Sequence, residues 1–263
     1  MGPLPTYNLL GDGPLVLMLH GSGGSFRSFA PQVETLASQG YRAAAWNMPG
    51  YGLSAPVEPY GFKGLAQRCI GLIEGLSGNA AGVPAGCTLV GQGMGGMVAL
   101  EVALRRPELV HQLVLSATAP AVTPGDGYAR HIDEALALID AAASQDALAE
   151  TLVPSVVGPD ALAAGVRLAT HCLAQVNLSV WRRALLAMRG FDRRAALAEL
   201  HPPTLLVSGD LDRVAPLSAW PALPRTRLAR LPGVGHLPNL EAPDAFDALL
   251  LDFLSEARPP VWH

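Results

Sequence analysis

Glycine-rich loops and a few polar side chains that follow apolar runs are the first candidates for chemistry in this sequence. One loop reads His20-Gly21-Ser22-Gly23-Gly24, and a second glycine cluster surrounds Gly93. Later loops carry Asp212 and His236, residue types that can orient and transfer protons. Because ligands gather at the carboxyl ends of the strands in an open parallel sheet, we expect these loops to converge if each one follows a strand.

The elements that must position these loops alternate along the chain. The apolar runs predict strands at 15–19, 41–46, 110–116, 204–208 and 227–231, with another beginning at Cys87, and helical patterns cover 26–39, 61–76, 94–106 and 243–256. Such alternation favours a parallel sheet covered on both faces. From about 121 to 200 the pattern is helical only, which predicts a core domain of 1–120 and 201–263 with a helical cap at 121–200 inserted in it.

Four segments together resemble the α/β-hydrolase family. Gly91-Gln92-Gly93-Met94-Gly95 matches the nucleophile elbow Gly-x-Ser-x-Gly at every position but the serine. The loops at His20, Asp212 and His236 are similar to the family's His-Gly-x-Gly, Gly-x-x-Asp-x-x-x-Pro and Gly-His-x-x-x-x-Glu-x-Pro segments, in the family's order. The resemblance implies an α/β-hydrolase fold: a mostly parallel sheet flanked by helices, with an inserted helical cap.

The resemblance also implies a role for individual residues. His236 would be the catalytic base, Asp212 would orient it, and the backbone N–H groups of Ser22 and Met94 would form an oxyanion hole. Gly93 occupies the nucleophile position. The predicted substrate-binding residues are Gly21, Gln92 and Trp181.

Each motif also has a plainer interpretation. The first glycine loop could cradle phosphate, although it lacks the lysine of a P-loop and the spacing of a dinucleotide fingerprint. Asp210 and Asp212 could both be turn residues, with Asp210 the better candidate for that role. A lone histidine is more often structural than catalytic. We interpret Glu241 as a charge at a helix start rather than as an acid catalyst.

Glycine cannot attack a carbonyl carbon, so Gly93 leaves three interpretations open. In the first, which the intact spacing of the other loops favours, glycine has replaced the nucleophile of a serine hydrolase, and the chain binds substrate but turns it over poorly. In the second, the His236–Asp212 pair acts as a general base on water or substrate, in non-covalent hydrolysis, lyase or cofactor-free oxygenase chemistry. In the third, the cavity is a small-molecule receptor.

Composition limits the possible partners. The chain has 263 residues, half of them hydrophobic, and a formal net charge of -4, which gives no reason to expect nucleic acid or an anionic membrane as a partner. The widely spaced Cys69, Cys87 and Cys172 predict free thiols in a reducing compartment. No signal peptide or run of membrane-spanning length is evident, so we expect a cytoplasmic protein.

The cap should select the substrate. Its alanine- and leucine-rich helices, with Trp181, Met188 and Phe191, predict a largely apolar pocket for a small or medium organic molecule. The pattern resembles the esterase and enol-lactonase side of the family and also the carbon–carbon hydrolases of ring-cleavage products. We interpret the cap's arginines as a solvated helix face rather than a carboxylate site: Arg130, Arg167, Arg182, Arg183 and Arg189. The sequence has no histidine spacing typical of a metal site and no cofactor motif, and it does not indicate an oligomeric state.

Overall fold

The computed structural model describes residues 2–77, 86–141 and 144–256 of the chain. Within these ranges a seven-stranded sheet has the order β1-β3-β2-β4-β5-β6-β7, in which only β1 is antiparallel to its neighbour. The strands are β1 (Tyr7–Leu10), β2 (Leu15–Leu19), β3 (Arg42–Trp46), β4 (Cys87–Gln92), β5 (Val110–Ser116), β6 (Thr204–Gly209) and β7 (Thr226–Leu231). The predicted mostly parallel sheet is confirmed.

In the described part of the chain, α-helices follow every strand except β1 and β6. They are α1 (Ala30–Ser38), α2 (Phe62–Ser77), α3 (Met94–Arg105), α4 (Gly127–Asp140), α5 (Gln145–Val156), α6 (Ala163–Ala174), α7 (Leu178–Arg189), α8 (Pro238–Glu241) and α9 (Pro243–Ser255). The helix predicted from position 26 begins as a 3-10 turn and becomes α-helical only at Ala30. Pro31 explains this start, because proline fits the first turn of a helix but cannot donate an interior hydrogen bond.

The sheet is buried on both faces, which explains the unbroken apolar runs of its central strands. In β2, Leu15, Leu17 and Leu19 belong to the apolar cluster on the side of α2 and α3. Val16 and Met18 point to the other side and belong to the cluster that includes α1 and α9. Because successive side chains of β2 point to opposite faces of the sheet, the strand packs against both helix layers.

Four helices, α4 to α7, lie between β5 and β6 in the chain, where the helical cap was predicted. Helix α7 contributes Val180, Trp181 and Leu185 to the same apolar cluster as α2 and α3, so this segment is packed onto the sheet domain. The division into a core domain and a cap domain stays a prediction. The sequence also predicts a linker at 77–86, between the helical pattern at 61–76 and the strand that begins at Cys87, and this segment lies mostly outside the described residues.

Two further features concern the cysteines and the length of the helices. Cys69, Cys87 and Cys172 are buried and form no disulfide. Burial raises the pKa of the Cys69 thiol well above its ordinary value and that of Cys87 to about 12, so neither is a ready thiolate. A search of the described helices finds none with both the length and the apolar character that crossing a membrane requires.

Candidate active site

Gly93 forms the sharp turn between β4 and α3. Its φ of 56° and ψ of -123° lie where residues with a side chain are strained. Behind the turn, a Cβ at Gly95 would come within 2.1 Å of the Leu19 carbonyl oxygen, so the close approach of helix and strand requires glycine. At Gly93 itself there is room: a Cβ would meet Gly21 Cα at 3.6 Å and the Tyr128 hydroxyl at 3.7 Å. The turn therefore has space for a side chain that this sequence lacks.

His236 and Asp212 meet beside this turn. His236 Nδ1 lies 3.1 Å from each carboxylate oxygen of Asp212. Because an ionised carboxylate can only accept, Nδ1 carries the proton and Nε2 keeps a free lone pair. A Cβ built on Gly93 would lie 3.9 Å from that Nε2 atom. The arrangement can remove a proton from a group held next to residue 93.

The environment of Asp212 keeps its carboxylate ionised. Burial alone would raise its pKa, but the neighbouring His236 and two backbone N–H groups of its own loop lower the pKa below the ordinary value. Those N–H groups donate to Oδ1 at 2.9 and 3.0 Å. Asp210 instead accepts a hydrogen bond from the backbone N–H of Gly233 at 2.8 Å, which is the turn role expected for it.

The two predicted oxyanion amides line the same cavity. Met94 is the first residue of α3, so its N–H has no partner within the helix. Ser22 lies in the loop after β2, and its carbonyl oxygen accepts a hydrogen bond from the Tyr51 hydroxyl at 2.7 Å. Both residues, with Gly21 and Gly93, form part of the cavity wall. Two amides at this wall are suited to stabilising an oxyanion.

His20 fixes the conformation of the glycine-rich loop after β2 and has no part in the predicted acid–base pair. The Met48 backbone N–H donates to its Nε2 at 3.0 Å, so the ring proton is on Nδ1, which donates to the Gly21 carbonyl oxygen at 2.7 Å. Burial lowers the pKa of His20 to about 4, despite the opposing effect of that second hydrogen bond. The imidazole is therefore neutral near pH 7 and holds Gly21 against the end of β3.

The predicted substrate-binding residues also lie at the cavity. Gln92 lines it, and its side-chain amide donates to the His236 carbonyl oxygen at 3.0 Å. A Cβ on Gly21 would come within 2.3 Å of Gln92 Oε1, so glycine at position 21 permits this contact. Trp181 on α7 forms part of the wall, and its buried indole N–H has no hydrogen-bond partner among the described residues.

Helices α5, α6 and α7 close the cavity over Gly93. Their contributions are mainly apolar: Leu152, Val153, Val156, Ala169, Leu173, Trp181 and Met188. None of the five cap arginines is among the lining residues. Arg182 instead pairs with Asp140 and Arg189 with Asp133 on the exposed surface, in agreement with a solvated helix face.

Tyr128 and His131 on α4 belong to the cavity, and sequence reasoning missed both. The Tyr128 ring meets that of His236 edge-on at 5.8 Å, and its hydroxyl donates to the Ala117 carbonyl oxygen at 3.0 Å. The His131 ring centroid lies 6.1 Å from that of His236. The available signal was a tyrosine and a histidine one helical turn apart, immediately after the Gly-Asp-Gly turn at 125–127 that begins the cap.

Glu241 organises the histidine loop. It is the last residue of α8, and its carboxylate accepts hydrogen bonds from the backbone N–H groups of Gly158 and Gly235, each at 2.7 Å, and of Leu237 at 2.8 Å. The His236 N–H in turn donates to the Val156 carbonyl oxygen at 2.8 Å. The Glu241 side chain therefore fixes the histidine loop and links it to the end of α5. This role differs from the predicted one, which was a charge at a helix start.

The described part of the chain contains no group of three or more His, Cys, Asp and Glu residues arranged to hold a metal ion. The cavity wall instead contains the His236 imidazole, with Asp212 behind it, a second imidazole at His131, and the two residues Ser22 and Met94 whose backbone N–H groups were predicted to bind an oxyanion. Such a set fits acyl chemistry at a carbonyl carbon.

Comparisons with known proteins agree with this architecture. The family model described as the alpha/beta hydrolase family matches residues 16–249. The chain is 31% identical over 255 residues to "Putative carbamate hydrolase RutD" of Pseudomonas savastanoi pv. phaseolicola, covering 93% of this chain and 95% of that protein. It is 30% identical over 261 residues to the "Pimeloyl-[acyl-carrier protein] methyl ester esterase" of Yersinia pseudotuberculosis, with 94% and 95% covered.

A solved structure shares the fold along nearly the whole length. The esterase of Exiguobacterium antarcticum superposes with a TM-score of 0.84 at 25% identity, covering 95% of this chain and 94% of that one. The matched span extends from β2 into α9, and so includes the elbow, the acid loop and the histidine loop. With its sheet order, its strand–turn–helix at Gly93 and these whole-length matches, the chain belongs to the alpha/beta hydrolase family.

Proposed function

We propose that this chain is a hydrolase for a small, largely apolar carboxylic ester, lactone or carbamate, and that His236 activates a water molecule to attack the substrate carbonyl. The observation that carries the proposal is the His236–Asp212 pair, whose free Nε2 lies 3.9 Å from where a Cβ of residue 93 would be. With glycine at that position, the chain's own turnover uses no covalent acyl intermediate.

The substrate carbonyl would lie above Gly93. Its oxygen would accept hydrogen bonds from the Ser22 and Met94 N–H groups, which strengthen as negative charge develops on it. The apolar part of the substrate would contact the side chains of α5, α6 and α7 that line the cavity. Burial of that part supplies binding energy without a requirement for a charged partner.

The reaction follows from the lone pair on His236. The water oxygen bonds to the carbonyl carbon while one water proton moves to His236 Nε2, and Asp212 stabilises the resulting imidazolium. Collapse of the tetrahedral species breaks the bond to the leaving group, which takes the proton back from Nε2. General-base catalysis of this kind contributes about 10²–10⁴-fold.

The relatives support the substrate class. One is named as a carbamate hydrolase and one as a methyl ester esterase, and both reactions release a leaving group from an acyl carbon. The apolar cavity favours the uncharged members of these classes. A cytoplasmic location is part of the proposal and agrees with the free, buried thiols of the three cysteines.

Replacement of Gly93 by serine tests how the site uses this geometry. We expect Gly93→Ser to raise kcat/KM for p-nitrophenyl butyrate by about 10²-fold or more. A complete triad accelerates hydrolysis by about 10⁶-fold, whereas general-base activation of water accelerates it by about 10²–10⁴-fold. Gly93→Ala is the matched control: it adds the same Cβ without an oxygen, and should give no gain. Steady-state hydrolysis of the three proteins, with His236→Ala in each background, makes the comparison.

The second candidate is a serine hydrolase framework that has lost its nucleophile and only binds its substrate. The space for a Cβ at Gly93 favours it, since every neighbour stays at 3.6 Å or beyond. For this candidate, Gly93→Ser alone creates activity, and the unaltered chain shows no turnover that depends on His236. Ligand binding that is indifferent to both changes, with no turnover in any variant, would instead indicate a receptor.

A further inference from the structure

A second imidazole faces the cavity, and neither the acid–base pair nor the oxyanion hole makes use of it. His131 lies on α4, one helical turn after Tyr128, and lines the cavity together with His236 and Gly93. The two imidazole rings are 6.1 Å apart between centroids and are inclined by 49°. The cap therefore brings its own histidine to the reacting end of the pocket.

No hydrogen bond joins the ring nitrogens of His131 to another of the residues that the structure describes, and the side chain is half-buried at the cavity wall. Tyr128, its neighbour on α4, uses its hydroxyl on the Ala117 carbonyl oxygen, and Asp212 is occupied by His236 and its own loop. Because the side chain lines the cavity, its ring nitrogens are free to bond to a molecule held there, such as water.

Burial keeps this ring uncharged. Desolvation, with a smaller contribution from the neighbouring His236, lowers the pKa of His131 to about 4, and the more distant Asp212 opposes that shift only in part. A neutral imidazole has one nitrogen that donates and one that accepts. Near pH 7 His131 can thus accept a hydrogen bond from water without repelling an imidazolium at His236.

The spacing of the two rings suits one shared atom. A water oxygen that donates to an imidazole nitrogen lies about 4 Å from the ring centroid, the sum of a hydrogen bond of about 2.8 Å and the ring radius. Two centroids separated by 6.1 Å can both satisfy that distance to a single oxygen between them. Gly93 has no side chain to fill the space beside His236 Nε2, which a Cβ at that position would approach to 3.9 Å, so this space can take a water molecule.

We propose that His131 is a second catalytic imidazole, which holds the attacking water together with His236. The water donates one hydrogen to Nε2 of His236 and the other to the unprotonated nitrogen of His131, so that its lone pair points at the carbonyl carbon. Only the first of these protons is transferred during attack, and it later leaves with the leaving group. This inference rests on the proposed water-activated hydrolysis.

The test replaces His131 with phenylalanine, which keeps an aromatic ring but removes both nitrogens. In the unaltered chain we expect His131→Phe to lower kcat for p-nitrophenyl butyrate about 10-fold, the equivalent of one hydrogen bond in the transition state, with KM little changed. His131→Gln retains an acceptor and should recover part of the loss. The matched control is His171→Phe, at an exposed cap histidine outside this cavity.

The same substitution made in the Gly93→Ser protein tests whether His131 acts on the attacking water. In Gly93→Ser the initial burst of p-nitrophenol reports acyl transfer to the introduced serine, a step that needs no water. His131→Phe should therefore lower the burst rate much less than it lowers kcat of the unaltered chain. Equal losses in the two backgrounds would overturn the proposal, since they would indicate a role in substrate binding or cap packing. Thermal unfolding of each variant checks that the fold persists.

The outcomes separate this inference from the proposed function. If His236→Ala abolishes turnover of the unaltered chain and His131→Phe leaves it unchanged, water activation stands and the role of His131 is refuted. If His236→Ala leaves turnover unchanged, both are refuted. An unaltered chain with no measurable hydrolysis above background would likewise contradict both.

Discussion

Gly93 separates two properties that a nucleophile elbow normally combines. The backbone conformation that exposes residue 93 to His236 is retained, with φ of 56° and ψ of -123°, while the side chain that would react is a single hydrogen atom. Strain of this kind costs about 1–3 kcal/mol for a residue with a side chain, and glycine relieves it. The unaltered chain therefore holds the shape of the site without the strain.

At the same scale, Asp212 should matter through the tautomer of His236. We expect Asp212→Asn to lower kcat by about 10²–10⁴, because an amide can donate to Nδ1 and move the ring proton to Nε2, which removes the base. KM should change little, since the carboxylate lies behind the imidazole and is absent from the cavity wall. Steady-state kinetics with p-nitrophenyl butyrate provide the measurement.

Asp210→Asn is the control for that prediction. Asp210 lies in the same loop but, among the described residues, accepts a side-chain hydrogen bond only from the Gly233 N–H, so its replacement should leave kcat within a few-fold of the unaltered chain. Equal losses in the two variants would mean that the loop's fold, rather than the Asp212–His236 contact, limits the activity.

At the scale of elements, the histidine loop is held from two sides. Glu241 accepts three backbone N–H groups, of which Gly235 and Leu237 flank His236 and Gly158 follows α5. The Val156 carbonyl oxygen accepts the His236 N–H itself. The end of α5 therefore helps to position His236, so this helix would contribute to the geometry of the proposed base as well as to the wall of the cavity.

Glu241→Gln tests this connection. The side-chain amide would place an NH₂ group against N–H donors, so we expect a loss of about 1–3 kcal/mol in the free energy of unfolding and a fall in kcat larger than any rise in KM. Urea denaturation and steady-state kinetics give the two quantities. Glu108→Gln is the control, because Glu108 is an exposed glutamate that pairs with Arg106. A Glu241→Gln protein with the same stability and kinetics as this control would contradict the role assigned to Glu241.

The elements differ in how far their sequence determines them. Strand β2 and the turn at Gly93 were predictable because local patterns, an apolar run and flanking glycines, dictate their conformation. The contacts of His131 and Glu241 were not, because each meets a group from a distant part of the chain: His131 meets the His236 ring and Glu241 the Gly158 backbone N–H. Glu241 contacts a residue 83 positions away, for example, and no local pattern encodes that contact.

At the scale of the whole molecule, two histidines with lowered pKa values, the buried His20 and the half-buried His131, link stability to pH. Burial lowers the pKa of His20 and of His131 from 6.5 to about 4. Between those values the unfolded chain binds more protons than the folded one, so the free energy of unfolding must fall as the pH falls from 6.5 toward 4. Two such groups give a slope of about 2.7 kcal/mol per pH unit at most.

Urea denaturation between pH 6.5 and 5 measures this slope. Carboxyl groups such as Asp247, whose pKa burial raises, contribute in the opposite direction where they titrate, so the histidine contribution is taken from the difference between variants. His131→Phe should remove about half of the slope, and His171→Phe at an exposed histidine should leave it intact. A slope that His131→Phe does not alter would mean that His131 is charged or solvated in the folded protein.

The global architecture was the most predictable level. Alternating apolar runs and helical patterns, with four motifs in order, indicated the parallel sheet, its interruption by helices between β5 and β6, and the edge at which the loops meet. The sequence could not give the shape of the cavity, because α4 to α7 share only a common alanine and leucine character. Which of their faces turns inward depends on packing against the sheet domain.

The most direct test of the account is the rate at which the unaltered chain, with glycine at 93, hydrolyses p-nitrophenyl butyrate before and after His236→Ala. A base that activates water contributes about 10²–10⁴-fold, so we predict a loss of at least about 10² in kcat with no burst of product in either protein. A rate that survives His236→Ala unchanged, or a burst that reveals a covalent intermediate, would contradict it.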